Sequence, residues 1–477
     1  MMPPGMSRRD FILSSLAASF VAGCRTVDIF GRPALTFGVV SDIHVTTPGT
    51  EARYEKALRL FKARGADAVM VCGDLADWGT VGSWQLVRDA WQRVFGDDKT
   101  VPLLCTGNHD FGGWGYGDMT MDMHASGHSE DEAAVRAPGG IKAAWEKIFG
   151  EEYAPVRIRS VKGYDFVSTE YAGEDGKHRP DVARFLVAYA RRLRDSGKPF
   201  FYFQHLPIKG TTGDSGHRSD GSVFPVLKTF PNAVSFTGHT HRPFVDERQI
   251  WQGEFTAIGT PSLSYPTLIG HENGSTAKRD GSATNAMPMI PTRRDLEGTQ
   301  GFFVNVYADR IVVERIDVEA DGVEAAPAWV IPLVGAKPFA WVDAEKRVPV
   351  PAFPEGASVR CEMRNTENRQ GKWTIVMTCE FPSATVPDGW RVFDYEIRAV
   401  PKDGSAPLVK LFYSPAYHKL PSCEPERQRF WFDVAELPQG KEYVIEVRAR
   451  NCFGRKSRPL VSRAWRGEPG LSKVTRA

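Results

Sequence analysis

Five short polar blocks occur in fixed order along the chain: Asp42-Ile43-His44, Gly73-Asp74-Leu75-Ala76-Asp77, Gly107-Asn108-His109-Asp110, His205, and Gly238-His239-Thr240-His241. As candidate ligands, Asp42, Asp74, Asn108, His44, His205, His239 and His241 supply carboxylates, an amide oxygen and imidazoles. This donor set suits a pair of divalent metals sharing one carboxylate. Mixed nitrogen and oxygen ligation is compatible with Mn, Fe, Zn or Co. Two divalent cations outweigh the charge of Asp42 and Asp74, so the pair attracts phosphate even with a hydroxide between the metals. Coordination lowers the pKa of water from 15.7 towards about 7, which supplies a nucleophile at neutral pH.

Each block closes an apolar, strand-like run: Leu35 to Val40, Ala68 to Cys72, Val101 to Cys105, Phe200 to Phe203 and Ala233 to Phe236. The polar residues therefore fall at the carboxyl ends of strands, where open α/β sheets bind their ligands. Between the runs, Glu51 to Ala63 has helical periodicity, with Ala57, Leu58 and Phe61 on one side. Trp84 to Phe95 and Asp181 to Asp195 are further expected helices, and Tyr164 to Ser168 a further strand. Phe302 to Tyr307 and Arg310 to Ile316 predict a hairpin through Ala308-Asp309. The alternation predicts a layered α/β domain from Leu35 to Val318.

Order, spacing and location together resemble the calcineurin-like metallophosphoesterase superfamily, whose blocks DxH, GDxxD, GNHD, a lone His and GHxH are all intact here. The resemblance implies a four-layer αββα fold with two metals. It places Asp42, His44 and His241 on one metal, Asn108, His205 and His239 on the other, and Asp74 between them. It also implies that His109 steadies the transition state and protonates the leaving oxygen, oriented by Asp77. Asp110 is expected to bond backbone or orient a histidine. Purple acid phosphatases carry DxG and GDxxY instead; His44 and Asp77 stand at those positions and argue against a tyrosinate-iron centre. Phe203-Gln204-His205-Leu206-Pro207 resembles the HxP block of bacterial class III cyclic-nucleotide phosphodiesterases. Phosphodiester and phosphomonoester substrates, as small molecules or envelope components, both stay open.

Two long insertions flank these blocks. Phe111 to Val135 is rich in Gly, Met and His, and Pro266 to Gln300 in Gly, Ser, Thr, Asn and basic residues. Loops of this length are usually lids or disordered. Trp114 and Tyr116 are candidate stacking contacts for substrate, and His217 and Arg218 candidate polar contacts. Lys278, Arg279, Arg293 and Arg294 read as a solvated loop before a phosphate lid. Met119, Met121, Met123, His124 and His128 have no regular ligand spacing.

The 477 residues have room for two or three domains. A formal net charge of +2 gives no strongly basic surface for nucleic acid. Ser7-Arg8-Arg9-Asp10-Phe11, the apolar Phe11 to Gly23 and Val21-Ala22-Gly23-Cys24 resemble a twin-arginine, lipoprotein-type signal over residues 1–24. That resemblance implies export, lipidation of Cys24, and membrane attachment by a lipid anchor only. Cys72 and Cys105 are expected to be buried thiols, whereas Cys361, Cys379, Cys423 and Cys452 can form two disulfides in an exported protein. The segment 319–354 reads as a proline-rich linker. Short alternating runs over 355–466 predict a second, all-β sandwich resembling fibronectin type III, whose protein or glycan partner is open. A rival reading makes the protein a cell-envelope binding protein that uses this sandwich, its metal site residual.

Overall fold

The structure, a computed structural model, describes residues 31–96, 98–111, 129–171, 180–213, 219–266, 298–333, 341, 344–367, 373–414, 417 and 419–467. The expected signal with Cys24, the candidate contacts Trp114, Tyr116, His217 and Arg218, and most of both insertions lie outside these residues.

Two six-stranded sheets form the larger part of the molecule. Their strands are β1 (Leu35–Val40), β2 (Ala68–Cys72), β3 (Val101–Cys105), β4 (Val156–Val161), β5 (Tyr164–Thr169), β6 (Phe200–Gln204), β7 (Ala233–Thr237), β8 (Ile250–Gln252), β9 (Thr256–Gly259), β10 (Gln300–Val306), β11 (Arg310–Asp317) and β12 (Val323–Pro332). The first sheet runs β12-β11-β10-β1-β2-β3, and the second β4-β5-β6-β7-β9-β8. β1, β2 and β3 are parallel neighbours, as are β5, β6, β7 and β9. Parallel strands need crossovers, which put their carboxyl ends along one edge.

Apolar residues on both faces of these strands explain the layering. Phe37, Val39, Met70, Phe166, Phe201, Phe203 and Phe236 share the core between the sheets. On the other face of the first sheet, Val40, Val69 and Val71 pack against helices α1 (Ala52–Ala63), α2 (Val81–Val94) and α3 (Gly140–Phe149). Val167, Phe200 and Tyr202 of the second sheet pack outward against α4 (Pro180–Ala188) and α5 (Ala190–Asp195). The layers therefore run helices, sheet, sheet, helices. Thr80 caps α2 by accepting from the Ser83 N–H at 3.1 Å.

The structure corrects several sequence expectations. The helix expected over Asp181 to Asp195 is two helices, interrupted at Tyr189. Part of the expected 319–354 linker is β12, an edge strand paired with β11. Pro327 conceals it from a periodicity reading; the strand accommodates the proline at an edge, with register shifts between Val313 and Ile316. α3, β4, β8 and β9 were not anticipated, because they are short or lack a clean period.

The C-terminal region is all β. β13 (Arg360–Glu367), β14 (Trp373–Pro382) and β17 (Arg427–Asp433) form one sheet; β15 (Asp394–Pro401), β16 (Leu408–Tyr413) and β18 (Glu442–Arg450) form the other, with β19 (Leu460–Val461) and β20 (Trp465–Arg466) along β18. Met377, Phe381, Tyr395, Phe412, Phe430 and Val447 fill the space between them. This region packs on the two six-stranded sheets through Phe393, Leu411 and Tyr417, which join the core that holds Trp329 and Trp341. The Arg391 side chain donates to the Ala325 carbonyl at 2.6 Å. Cys72, Cys105, Cys361, Cys379, Cys423 and Cys452 are all free thiols, so neither expected disulfide is formed. Cys361 and Cys379 nevertheless oppose each other across β13 and β14, their sulfurs 3.7 Å apart. Among the described residues, no helix is long and apolar enough to cross a membrane.

Candidate metal centre

The five polar blocks meet where the carboxyl ends of β1, β2 and β3 face those of β6 and β7. Buried strands hold the blocks rigidly, but the polar residues themselves leave strand geometry. Asp42, His44, Asp74, His239 and His241 have φ of 51°, 48°, 50°, 71° and 54°. They make up five of the eight non-glycine residues with positive φ among the described residues. Asp and His enter this left-handed region more readily than branched residues do, yet its concentration here is typical of a functional site. The turn after each strand aims the side chains inward instead of alternating them across the sheet. Gly107 and Gly238 permit the close approach: a Cβ at the first would collide with the Asp74 carboxylate, and at the second with Ser41 Oγ.

Two ligand groups share one carboxylate. Ligating atoms of Asp42, His44, Asp74 and His241 lie within 4.8 Å of one another, as do those of Asp74, His205 and His239. Asn108 joins the second group, its Oδ1 2.9 Å from His205 Nε2 and 3.0 Å from His239 Nδ1. In the first group, His241 Nε2 is 2.9 Å from Asp42 Oδ1 and 3.2 Å from His44 Nε2. His205 Nε2 is 3.1 Å from Asp74 Oδ2.

Backbone carbonyls set the ring orientation of two ligands. His205 Nδ1 donates to the Cys72 carbonyl at 2.9 Å, and His241 Nδ1 to the Tyr265 carbonyl at 3.0 Å. A carbonyl only accepts, so each Nδ1 carries the proton and each Nε2 faces the cluster with a lone pair when neutral. His44 Nδ1 lies 2.8 Å from Asp77 Oδ1, an ion-pair contact without hydrogen-bond alignment. His239 differs: its Nδ1 faces inward, towards Asn108.

His109 stands beside this set. Its Nδ1 donates to the Asp77 carbonyl at 2.8 Å and lies 3.1 Å from Asp77 Oδ1, which leaves Nε2 4.0 Å from Asp74 Oδ2. Asp77 thus holds both His44 and His109. Asp110 is fully buried and accepts from the Leu75, Ala76 and Gly107 N–H groups and from Trp84 Nε1, at 2.8 to 3.1 Å. It clamps the second block to the third and does not face the cluster.

The two sheets set each other's charge. Burial alone would raise Asp42, but His241 and His205 together hold it well below the usual carboxylate range. Asp74 is likewise held low against its burial, by His205 and His109 first. Burial opposes protonation of His205 and His109, yet neighbouring carboxylates, Asp74 foremost, lift each to about 9. Burial and the adjacent His205 push His239 down to about 3. Burial, then Asp74, raises Asp110 to about 6.

Three supporting residues escaped the sequence reading. Glu170, at the end of β5, accepts from Thr106 N and Oγ1 at 2.8 and 2.7 Å and pairs with Arg157, fixing the approach to Asn108. Ser262 Oγ donates to the Asp42 carbonyl at 3.0 Å. Tyr265 stacks on His44, with centroids 5.5 Å apart and planes at 25°. The available signal was the apolar run Thr256-Ala257-Ile258-Gly259, another buried strand with a polar turn after it.

The donor chemistry fits divalent cations, and Asp74 is common to both ligand groups. Residues 35–243 match the family described as calcineurin-like phosphoesterase. No curated protein matches the chain. Among solved structures, a dimetal phosphatase from Danio rerio aligns at 11% identity and a TM-score of 0.39, over 63% of this chain and 100% of that one. The GAP50 anchor of the Plasmodium inner membrane complex aligns at 11% and 0.36, over 65% and 93%. Purple acid phosphatase PPD1 from yellow lupin (Lupinus luteus) aligns at 10% and 0.37, over 64% and 55%. Likenesses this distant carry no argument, so the weight rests on the family match and on the cluster. The match over residues 35–243 and the clustered Asp and His residues together support a metal-dependent phosphoesterase.

Proposed function

We propose that the chain is an exported, dinuclear phosphoesterase that hydrolyses a phosphodiester or phosphomonoester of a small molecule or envelope component. The sharing of Asp74 by two ligand groups carries this reading. Asp42, His44 and His241 hold one cation, Asn108, His205 and His239 the other. Bound there, the cations supply Lewis acidity and activate water at neutral pH. The remaining chemistry belongs to the chain. His109, lifted to about 9 by Asp74 and Asp77 against its burial, carries the proton that the leaving oxygen needs, and its Nε2 faces the cluster. Asp77 keeps that proton on the correct side by holding Nδ1. Asp110 and Glu170 keep the block backbones in register. Substrate preference lies with pocket shape, to which Trp114, Tyr116, His217 and Arg218 are offered as contributors.

The test is hydrolysis of aryl phosphate mono- and diesters by the full chain with Mn²⁺. Asp74→Asn and His109→Ala should each abolish turnover while the protein stays folded. Inactivity of the wild type across several metals and esters would instead favour the envelope-binding reading. We further propose that the C-terminal sandwich is a fibronectin type III-like positioning module and that Cys24 is lipidated after twin-arginine export. A Cys24→Ala variant that still incorporates a labelled lipid precursor contradicts the anchor.

A further inference from the structure

The two ligand groups are braced unequally. In the Asp42–His44–His241 group, one residue, Tyr265, touches both imidazoles. Its carbonyl accepts from His241 Nδ1 at 3.0 Å. Its ring lies 4.4 Å from the His241 ring and 5.5 Å from the His44 ring, the latter nearly parallel. His44 is held on its other side by the edge of His109 at 4.6 Å. Tyr265 is itself anchored. Its N–H and that of Ser264 donate to Ser262 Oγ at 3.1 and 3.0 Å, and Ser262 Oγ donates to the Asp42 carbonyl. Leu263 N–H donates to the Ser41 carbonyl at 2.9 Å. The turn after β9 is therefore latched to the end of β1 that carries Asp42 and His44.

Among the described residues, the Asn108–His205–His239 group has no such clamp. The Cys72 carbonyl holds His205; the His239 backbone N–H donates to the Asp42 carboxylate at 3.1 Å, while its ring lies 5.1 Å from the His205 ring and its Nδ1 3.0 Å from Asn108 Oδ1. Among the described residues, none holds its outward Nε2. His239 is also partly exposed, whereas His44 and His241 are buried.

We infer that Tyr265 is a positioning residue that makes the Asp42–His44–His241 group the tighter of the two cation sites, the one that fills first. The physical basis is preorganisation: rings packed against Tyr265, with the outer nitrogen of His241 already bonded and that of His44 beside Asp77, lose little freedom when their inner nitrogens take a cation. The inference rests on the dinuclear reading above and adds an order of filling and the residue that sets it.

Calorimetric titration of the metal-stripped full chain with Mn²⁺ tests it. The wild type should show a tight and a weak class, with His241→Ala removing the tight one and His239→Ala the weak one. Tyr265→Ala, which keeps the carbonyl and loses the ring, should weaken the tight class about tenfold and leave the weak class unchanged. Tyr265→Phe should match the wild type. Circular dichroism confirms that each variant is folded. Two equal classes in the wild type, equal weakening of both in Tyr265→Ala, no weakening of either, or a Phe variant as weak as Ala would each overturn the inference. If His241→Ala and His239→Ala both leave Mn²⁺ binding intact, the dinuclear reading itself has failed.

Discussion

The two sheet edges that meet at the centre contribute opposite chemistry. The first sheet brings Asp42, Asp74, Asp77 and Asn108, with His44 and His109 among them. The second brings His205, His239 and His241 and no carboxylate from the blocks. Alone, the first edge is a cluster of acids that repel one another, and the second a cluster of imidazoles that would compete for protons. Docked, each cancels the other's cost: His241 and His205 keep Asp42 ionised, and Asp74 lifts His205 to about 9. The site is thus a property of the interface between the sheets, which is why the aromatic core beneath it has to be rigid.

Removing the shared carboxylate breaks the comparison most severely. Asp74→Asn should lower turnover by more than the roughly 10²–10⁴-fold that loss of a general acid costs. Elemental analysis of the purified variant should show fewer than two cations per chain. His109→Ala separates proton delivery from cation binding: kcat should fall roughly 10²–10⁴-fold while cation content is unchanged. Loss of a cation in that variant would move His109 into the ligand set.

The second sheet's contribution can be sharpened by pH. Asp74 raises the His205 pKa to about 9 against its burial, so at neutral pH its Nε2 holds a proton that a cation would have to displace. Affinity at that site should fall about tenfold for each pH unit below about 9 and level off above it. Titrations in buffers of differing ionisation enthalpy measure the released proton; its absence at pH 7 would contradict the assignment. His239, already pushed down to about 3, adds no such penalty.

The smallest effect tests the first sheet's scaffold. Asp110→Ala orphans the Leu75, Ala76 and Gly107 N–H groups and Trp84 Nε1 at one buried point. A loss of at least about 3 kcal/mol in denaturant unfolding is expected, at about 1–3 kcal/mol per unmade bond. A change under about 1 kcal/mol, the net value of a single hydrogen bond, would mean that the two blocks are held together by other contacts.

Much of this was legible in the residues. β1, β2, β3, β6 and β7 are apolar runs with a polar block after each, and the edge position of the ligands follows from that pattern alone. Asp110 was readable as a structural acid, although its partners were not. The edge strand β12 was hidden by Pro327, and the break at Tyr189 by an unbroken helical composition. Tyr265, Ser262 and Glu170 were hidden for a different reason: their contacts, with His241, Asp42 and Thr106, join residues from about 24 to 220 positions apart.

By itself, the sequence determined the ligand types, their order, and their place at strand ends, because those depend on local apolar runs and on the chemistry of each side chain. Only the tertiary structure decided which ring nitrogen of each histidine faces the cluster, and that Tyr265 packs against one end of it. Those properties depend on distances between separate strands and on backbone turned to positive φ at Asp42, His44, Asp74, His239 and His241, and neither leaves a trace in residue spacing.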